Sequence, residues 1–102
     1  MRCHDRPVTE RATRVLVADR QPLFRRGVAD VLRGADDVEV VGETDDGAAV
    51  LGLVTGLDAD VVLLDLAIPG GGVDACALLR RERPQARVVV VADKDDDADL
   101  GG

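Results

Sequence analysis

The sequence has almost no aromatic residues. Its 102 residues include one Phe, no Trp and no Tyr, which argues against the stacking platforms that bind single-stranded nucleic acid. Basic charge is also in deficit, with 13 Lys and Arg against 20 Asp and Glu, so the formal net charge is −7 at pH 7. Surplus acidic charge opposes contact with a phosphate backbone. We therefore expect no direct nucleic acid binding by this chain.

Cysteine and histidine are scarce as well. Cys3, Cys76 and the single His4 are too few for a disulfide scaffold or a zinc site built from Cys. No apolar run approaches the roughly 20 residues of a membrane span. Residues 1–13 also lack the apolar stretch of a secretory signal. We therefore expect a cytoplasmic protein without a membrane partner.

Apolar residues, in contrast, make up 46% of the chain, which is enough for the core of one domain. They form short runs that alternate with segments of helical periodicity. The predicted strands are residues 14–19, 38–43, 60–65 and 87–91, and the predicted helices are 22–34, 46–57 and 73–83. Strands that alternate with helices and are apolar on both faces predict a parallel sheet covered on two sides.

The polar ends of the chain give the expected domain limits. Residues 1–13 predict a loose N-terminal arm, residues 14–92 one domain, and residues 93–102 an acidic tail. Inside the domain, the glycine run at residues 70–72 lacks the Lys and the Ser or Thr of a P-loop, so it predicts a flexible connection. The first helix should carry an apolar face, formed by Phe24, Val28, Val31 and Leu32.

Two of the predicted strands end in an acid. Asp19 ends the first and Asp65 ends the third, while Ala92 follows the fourth. Ligands of open α/β sheets bind outside the carboxyl ends of the strands. We therefore expect Asp19, Asp65 and the segment from Ala92 to lie around one pocket.

Three ordered segments carry a family resemblance: VLVADRQPLFRRGVADVL, VEVVGETDDGAAVL and DVVLLDLAIPG. Together they resemble the receiver domain of bacterial two-component response regulators, in particular the NarL/FixJ (LuxR-type) subfamily, over about residues 14–100. The resemblance implies an α/β fold with a flavodoxin-like (CheY-like), doubly wound parallel sheet. Here the sheet is expected to be incomplete, in the order 2-1-3-4, with the fifth strand and the last helices missing.

The resemblance also implies roles for the two acids. Asp65 matches the phosphoacceptor that a histidine kinase modifies, and Asp19 and Asp65 match ligands of a Mg²⁺ ion. Arg20, however, stands where the family has a second metal-binding acid, and Ala92 stands where it has Ser or Thr. Arg is always charged and pairs readily with carboxylates. A guanidinium over Asp65 would weaken Mg²⁺ binding, whereas the alternative is an Arg20 that points to solvent.

Three interpretations of function remain open. The leading one is a degenerate receiver-like signalling protein, not an enzyme, which associates with a histidine kinase or another signalling protein. The second is a working receiver phosphorylated on Asp65, and the third is a non-functional gene remnant. A homodimer is also expected, because the apolar strand at residues 87–91 would have an open edge.

Overall fold

A computed structural model describes residues 12–91 of the chain. The elements in chain order are β1 (Thr13–Ala18), α1 (Pro22–Arg33), β2 (Val38–Thr44), α2 (Val50–Leu57), β3 (Val61–Asp65), α3 (Gly72–Glu82) and β4 (Arg87–Val91). A 3₁₀ turn at Gly47–Ala49 precedes α2. Most of the predicted arm and the whole predicted tail lie outside the described residues, so the domain limits stay predictions. Within residues 12–91, every helix is too short or too polar to cross a membrane.

The four strands form one parallel sheet in the order β2-β1-β3-β4. This confirms the predicted fold class and strand order. β1 lies in the interior of the sheet, between β2 and β3. The register pairs Ala18 of β1 with Leu64 of β3, so the residues that follow them lie next to each other at the carboxyl edge.

The main hydrophobic core lies on the face of the sheet covered by α2 and α3. Alternate side chains of β1 and β3 point into it because successive residues of a strand face opposite sides. Val50 and Val54 of α2 and Leu79 of α3 are fully buried against them. The strand residues of this core are Leu16, Ala18, Val62 and Leu64.

The opposite face of the sheet is covered by α1, which contacts β1 and β2. Val15 and Val17 of β1 are buried there, and so is Ala29 of α1. On this same face, the strands on the far side of β1 from β2 are less well covered, since Val89 of β4 is 47% exposed. Val31 belongs to the predicted apolar face of α1, yet it is 76% exposed.

The connection between β3 and α3 is closely packed, unlike the predicted flexible segment. Gly70 and Gly71 have φ angles of 92° and 100°, a region that favours glycine. The backbone N–H of Gly47 donates to the carbonyl of Pro69 at 2.7 Å. A Cβ on Gly70 would lie 2.9 Å from the nitrogen of Ala48. The glycines therefore allow this connection to pack against the 3₁₀ turn.

Candidate functional site

Two buried acids lie side by side at the carboxyl edge of the sheet. Asp19 directly follows β1, and Asp65 is the last residue of β3. Each is only 5% exposed, and they are the two buried charged residues of the part of the chain that the structure describes. The topology of the sheet thus brings both acids together where ligands of such folds bind.

Both carboxylates are held by backbone N–H groups of the loops that follow them. Asp19 Oδ1 accepts a hydrogen bond from the N–H of Gln21 at 2.8 Å. Asp65 Oδ1 accepts one from the N–H of Ala67 at 3.0 Å. Both bonds span two residues, which is the usual local pattern for Asp at the start of a loop. The loops therefore fix the carboxylate positions.

Arg20 turns toward Asp65. Its backbone N–H donates to Asp65 Oδ2 at 3.3 Å, and its Nε lies 3.7 Å from the same oxygen. Its Nη1 donates to the carbonyl of Ala67 at 3.4 Å. The Arg20 side chain is 28% exposed and the Asp65 side chain 6%. The sequence left open whether the Arg20 side chain points to solvent or lies over Asp65, and in the structure it lies over Asp65. The single Nε–Oδ2 contact is long and is not a bidentate pair.

The electrostatics of the edge are set by burial and by the closeness of two acids. Burial raises the pKa of Asp19 above its usual value, and the negative charge of Asp65 raises it further. The hydrogen bond from Gln21 and the positive charges of Arg20 and Arg25 act in the opposite direction. Arg25 also donates from Nη1 to the backbone carbonyl of Asp19 at 2.8 Å. The acids thus lie among fixed positive charges.

Asp19 and Asp65 are the two buried carboxylates that this edge of the sheet offers to a Mg²⁺ ion. Residues 12–91 contain no group of three or more His, Cys, Asp or Glu side chains that could hold a metal. Mg²⁺ is usually bound through one or two carboxylates, with waters completing the octahedron, so here it would rely on Asp19 and Asp65. Three of the four carboxylate oxygens of Asp19 and Asp65 already accept N–H groups. One of these three oxygens, Asp65 Oδ2, also lies 3.7 Å from Nε of the Arg20 guanidinium. Ala92, the other expected departure from the family pattern, lies outside the described residues.

The amino-acid sequence matches the response regulator receiver domain family over residues 15–101. The chain belongs to this family. Within it, the relatives are of the NarL/FixJ subfamily, as predicted. The nitrate/nitrite response regulator NarP of Escherichia coli is 39% identical over 87 residues, which are 84% of this chain and 40% of that relative. The transcriptional regulatory protein NarL of Mycobacterium tuberculosis is 43% identical over 86 residues, or 83% of this chain and 40% of NarL.

Solved receiver domains share the fold. The signal receiver domain of NarL from M. tuberculosis superposes with a TM-score of 0.74 at 40% identity, covering 86% of this chain and 72% of that one. The non-phosphorylated receiver domain of RcsB from E. coli superposes with a TM-score of 0.76 at 29% identity, covering 88% of this chain and 72% of that one.

The chain spans about 40% of the length of the curated relatives it matches. Response regulators are bacterial signalling proteins. Their receiver domains generally bind Mg²⁺, interact with histidine kinases and dimerise.

Sequence reasoning missed three residues of this receiver site. Gln21 and Ala67 contribute backbone N–H groups, and Arg25 contributes its contact with the Asp19 carbonyl. The two N–H donors could have been found, because an Asp at the start of a loop commonly accepts from the residue two positions on. Nothing in the sequence identifies Arg25, since its direction depends on how α1 lies on the sheet.

Proposed function

We propose that this receiver domain is degenerate and acts by protein–protein association, without regulated phosphorylation of Asp65. The observation that carries the proposal is the position of Arg20, with its backbone N–H and its Nε at 3.3 and 3.7 Å from Asp65 Oδ2. An arginine keeps its charge at every pH that a protein meets. Asp65 therefore lies beside a side chain of the same protein that stays positively charged.

The same position argues against a metal. Phosphoryl transfer to a carboxylate needs neutralisation of the charge that develops on the transferred group. Arg20 replaces an acid that would bind Mg²⁺ and places a like charge beside the ion's site, so Coulomb repulsion opposes the ion. Mg²⁺ is then held weakly, through Asp19 and Asp65 alone. Loss of the ion removes the condition under which Asp65 accepts a phosphoryl group.

A second candidate function is a working phosphoacceptor. It is favoured by the burial of Asp65 at the end of β3, next to the equally buried Asp19. In this alternative, the Arg20 side chain moves aside during the reaction, and Asp19 and Asp65 act together as the family pattern implies. The two candidates differ in one measurable property, which is covalent modification of Asp65.

The test is incubation with a small phosphodonor and Mg²⁺, followed by intact-mass measurement. We expect no gain of mass for the unmodified chain. The Arg20→Asp variant should gain one phosphoryl group, and Asp65→Asn in that background should abolish the gain. A phosphoryl gain on the unmodified chain would support the working phosphoacceptor instead. No gain in any variant would show that Arg20 alone does not account for the loss.

The partners of the proposed association follow from the family. A histidine kinase or another cytoplasmic signalling protein is one partner class, and a second copy of the chain is the other. Among residues 12–91, β4 has a strand partner on one side only. Pairing of its other side with a strand of a second copy is one route to a homodimer.

A further inference from the structure

The peptide group between Asp19 and Arg20 lies where the backbone pairing of β1 ends. The N–H of Asp19 still donates to the carbonyl of Thr44, the last residue of β2, at 3.0 Å. The next peptide group is held by side chains. Its carbonyl accepts a hydrogen bond from Arg25 Nη1 at 2.8 Å, and its N–H donates to Asp65 Oδ2 at 3.3 Å. Arg25 and Asp65 therefore continue the hold on the backbone that the sheet provides up to Asp19.

The geometry of the peptide bond couples these two contacts. A peptide group is planar, and in its trans form the C=O and the N–H point in opposite directions. Every peptide bond of residues 12–91 is trans. Arg25 on the carbonyl side thus directs the N–H on the other side toward Asp65. A rotation of the plane that breaks one of the two contacts also breaks the other.

Arg25 is itself held by a residue of β2. Its Nε lies 3.4 Å from Glu43 Oε1, and the two side chains are only 17% and 23% exposed. A guanidinium presents several donors in fixed directions, so Arg25 reaches Glu43 and the Asp19 carbonyl at the same time. The ammonium of a lysine has a single nitrogen. Lysine at position 25 would therefore keep the charge and lose the simultaneous contacts.

Arg33 offers a matched comparison. It lies on α1 as well, and its Nη2 is 3.3 Å from the other oxygen of the same carboxylate, Glu43 Oε2. It also pairs with Asp30 of its own helix at 3.6 Å, and its side chain is half exposed. Arg33 therefore shares the charge, the helix and the acidic partner of Arg25, whereas its contacts lie among residues of α1 and β2.

We propose that Arg25, held by Glu43, is a positioning residue that turns the N–H of Arg20 toward Asp65. The Arg20 side chain starts from the same peptide group, so the place of its guanidinium depends on the same hold. The proposed block at Asp65 thus relies on two residues outside the acidic pair. This consequence rests on the proposed function, while the orientation of the peptide group is measurable by itself.

The first experiment is nuclear magnetic resonance of the full chain, labelled with ¹⁵N and ¹³C. The amide proton of Arg20 and the carbonyl carbon of Asp19 report the two contacts. In Arg25→Lys both signals should move, the proton upfield because it loses a charged acceptor. Asp65→Asn, which removes that acceptor charge, shows the direction to compare. Arg33→Lys should leave both signals in place.

A merely structural role of Arg25 would give a different result. It would move the amide signals of β1 and β3 together with that of Arg20, whereas we expect those strands to be unchanged. Glu43→Gln is a second variant, which keeps Arg25 and weakens the ion pair that holds it. It should move the signals of Asp19 and Arg20 in the same direction as Arg25→Lys, by a smaller amount.

The second experiment measures Mg²⁺ binding by calorimetry in the Arg20→Asp background, which the proposed function expects to bind the ion. Adding Arg25→Lys should weaken binding roughly tenfold, the loss typical when a residue that orients a metal ligand is changed. The variant keeps its positive charge, so a change in Coulomb repulsion does not account for the loss. Adding Arg33→Lys should leave the affinity unchanged.

Three results would overturn the assignment of Arg25. The first is an Arg20 amide signal that stays in place in Arg25→Lys. The second is an equal shift in Arg33→Lys, and the third is an equal shift throughout β1 and β3. Failure of the proposed function is separate: Arg20→Asp would then bind Mg²⁺ no better than the unmodified chain, and the resonance shifts would still decide the role of Arg25.

Discussion

At the scale of single residues, the proposed function rests on the position of Arg20 beside Asp65. The closeness of Asp19 and Asp65 was predictable, because each lies at the carboxyl end of a strand. In a parallel sheet these ends share one edge. The direction of the Arg20 side chain was not predictable. It depends on the path of the loop between β1 and α1, and on the Ala67 carbonyl, to which Arg20 Nη1 donates.

Replacing Arg20 should restore metal binding. Arg20→Asp adds an oxygen ligand and removes a like charge, so we expect titration calorimetry to show at least tenfold tighter Mg²⁺ binding than in the unmodified chain. Arg20→Gln removes the charge without adding a carboxylate and should give an intermediate affinity. Tight Mg²⁺ binding by the unmodified chain would contradict the proposed block.

The ionised carboxylate of Asp19 should lower the free energy of unfolding at neutral pH. Its pKa is raised above the usual 3.8, first by burial. Between 3.8 and the raised pKa, the folded chain therefore binds more protons than the unfolded chain. The free energy of unfolding then falls as pH rises through that interval and stays lower above it.

Asp19→Asn removes this charge and keeps an oxygen for the Gln21 N–H. We expect the variant to be more stable than the unmodified chain at pH 7, with the difference shrinking as pH falls through the raised pKa. Urea denaturation at several pH values measures both effects. Asp45→Asn, at an exposed position, should show no comparable change, and an equal gain there would refute the explanation.

At the scale of elements, hydrophobic periodicity predicted every strand and helix of residues 12–91, with boundaries close to those observed. The largest difference is at α2, where the predicted start at residue 46 is a 3₁₀ turn capped by Asp46, whose side chain accepts from Ala48. A capping acid marks where a helix begins but does not distinguish a 3₁₀ turn from an α-helix. In α1, periodicity could not fix the rotation that buries Ala29 and exposes Val31.

The connection before α3 gives an element-scale prediction. A Cβ on Gly72 would lie 2.6 Å from the carbonyl carbon of Leu66, so Gly72→Ala should destabilise the fold by about 1–3 kcal/mol through overpacking. The same change at Gly52, which faces open space within α2, should stabilise it by roughly 0.5–1 kcal/mol. Thermal denaturation shows whether each variant is more or less stable than the unmodified chain. A change of stability in the same direction at both positions would contradict this packing.

At the scale of the whole molecule, stability comes mainly from one face of the sheet. Leu79 of α3 is fully buried in the main core, whereas Val89 on the other face is 47% exposed. Leu79→Ala should therefore cost about 2–5 kcal/mol, a large share of the roughly 5–15 kcal/mol typical of domains.

Val89→Ala, the comparison variant, should cost about 1 kcal/mol or less because Val89 is only half buried. Urea denaturation should be followed by circular dichroism, since the chain has no Trp or Tyr for fluorescence. Equal losses for the two variants would mean that the α1 face is covered as well as the main core.

The interior position of β1 has a consequence for partial opening. β1 and β3 are each hydrogen-bonded to a strand on both sides, while β2 and β4 each have one strand partner among the described residues. Amide hydrogens of β1 and β3 should therefore exchange with solvent most slowly, and those of β2 and β4 should exchange earlier through local fraying. Asp19 and Asp65 adjoin the two slow strands. The acidic pair should thus keep its arrangement in openings that release the outer strands.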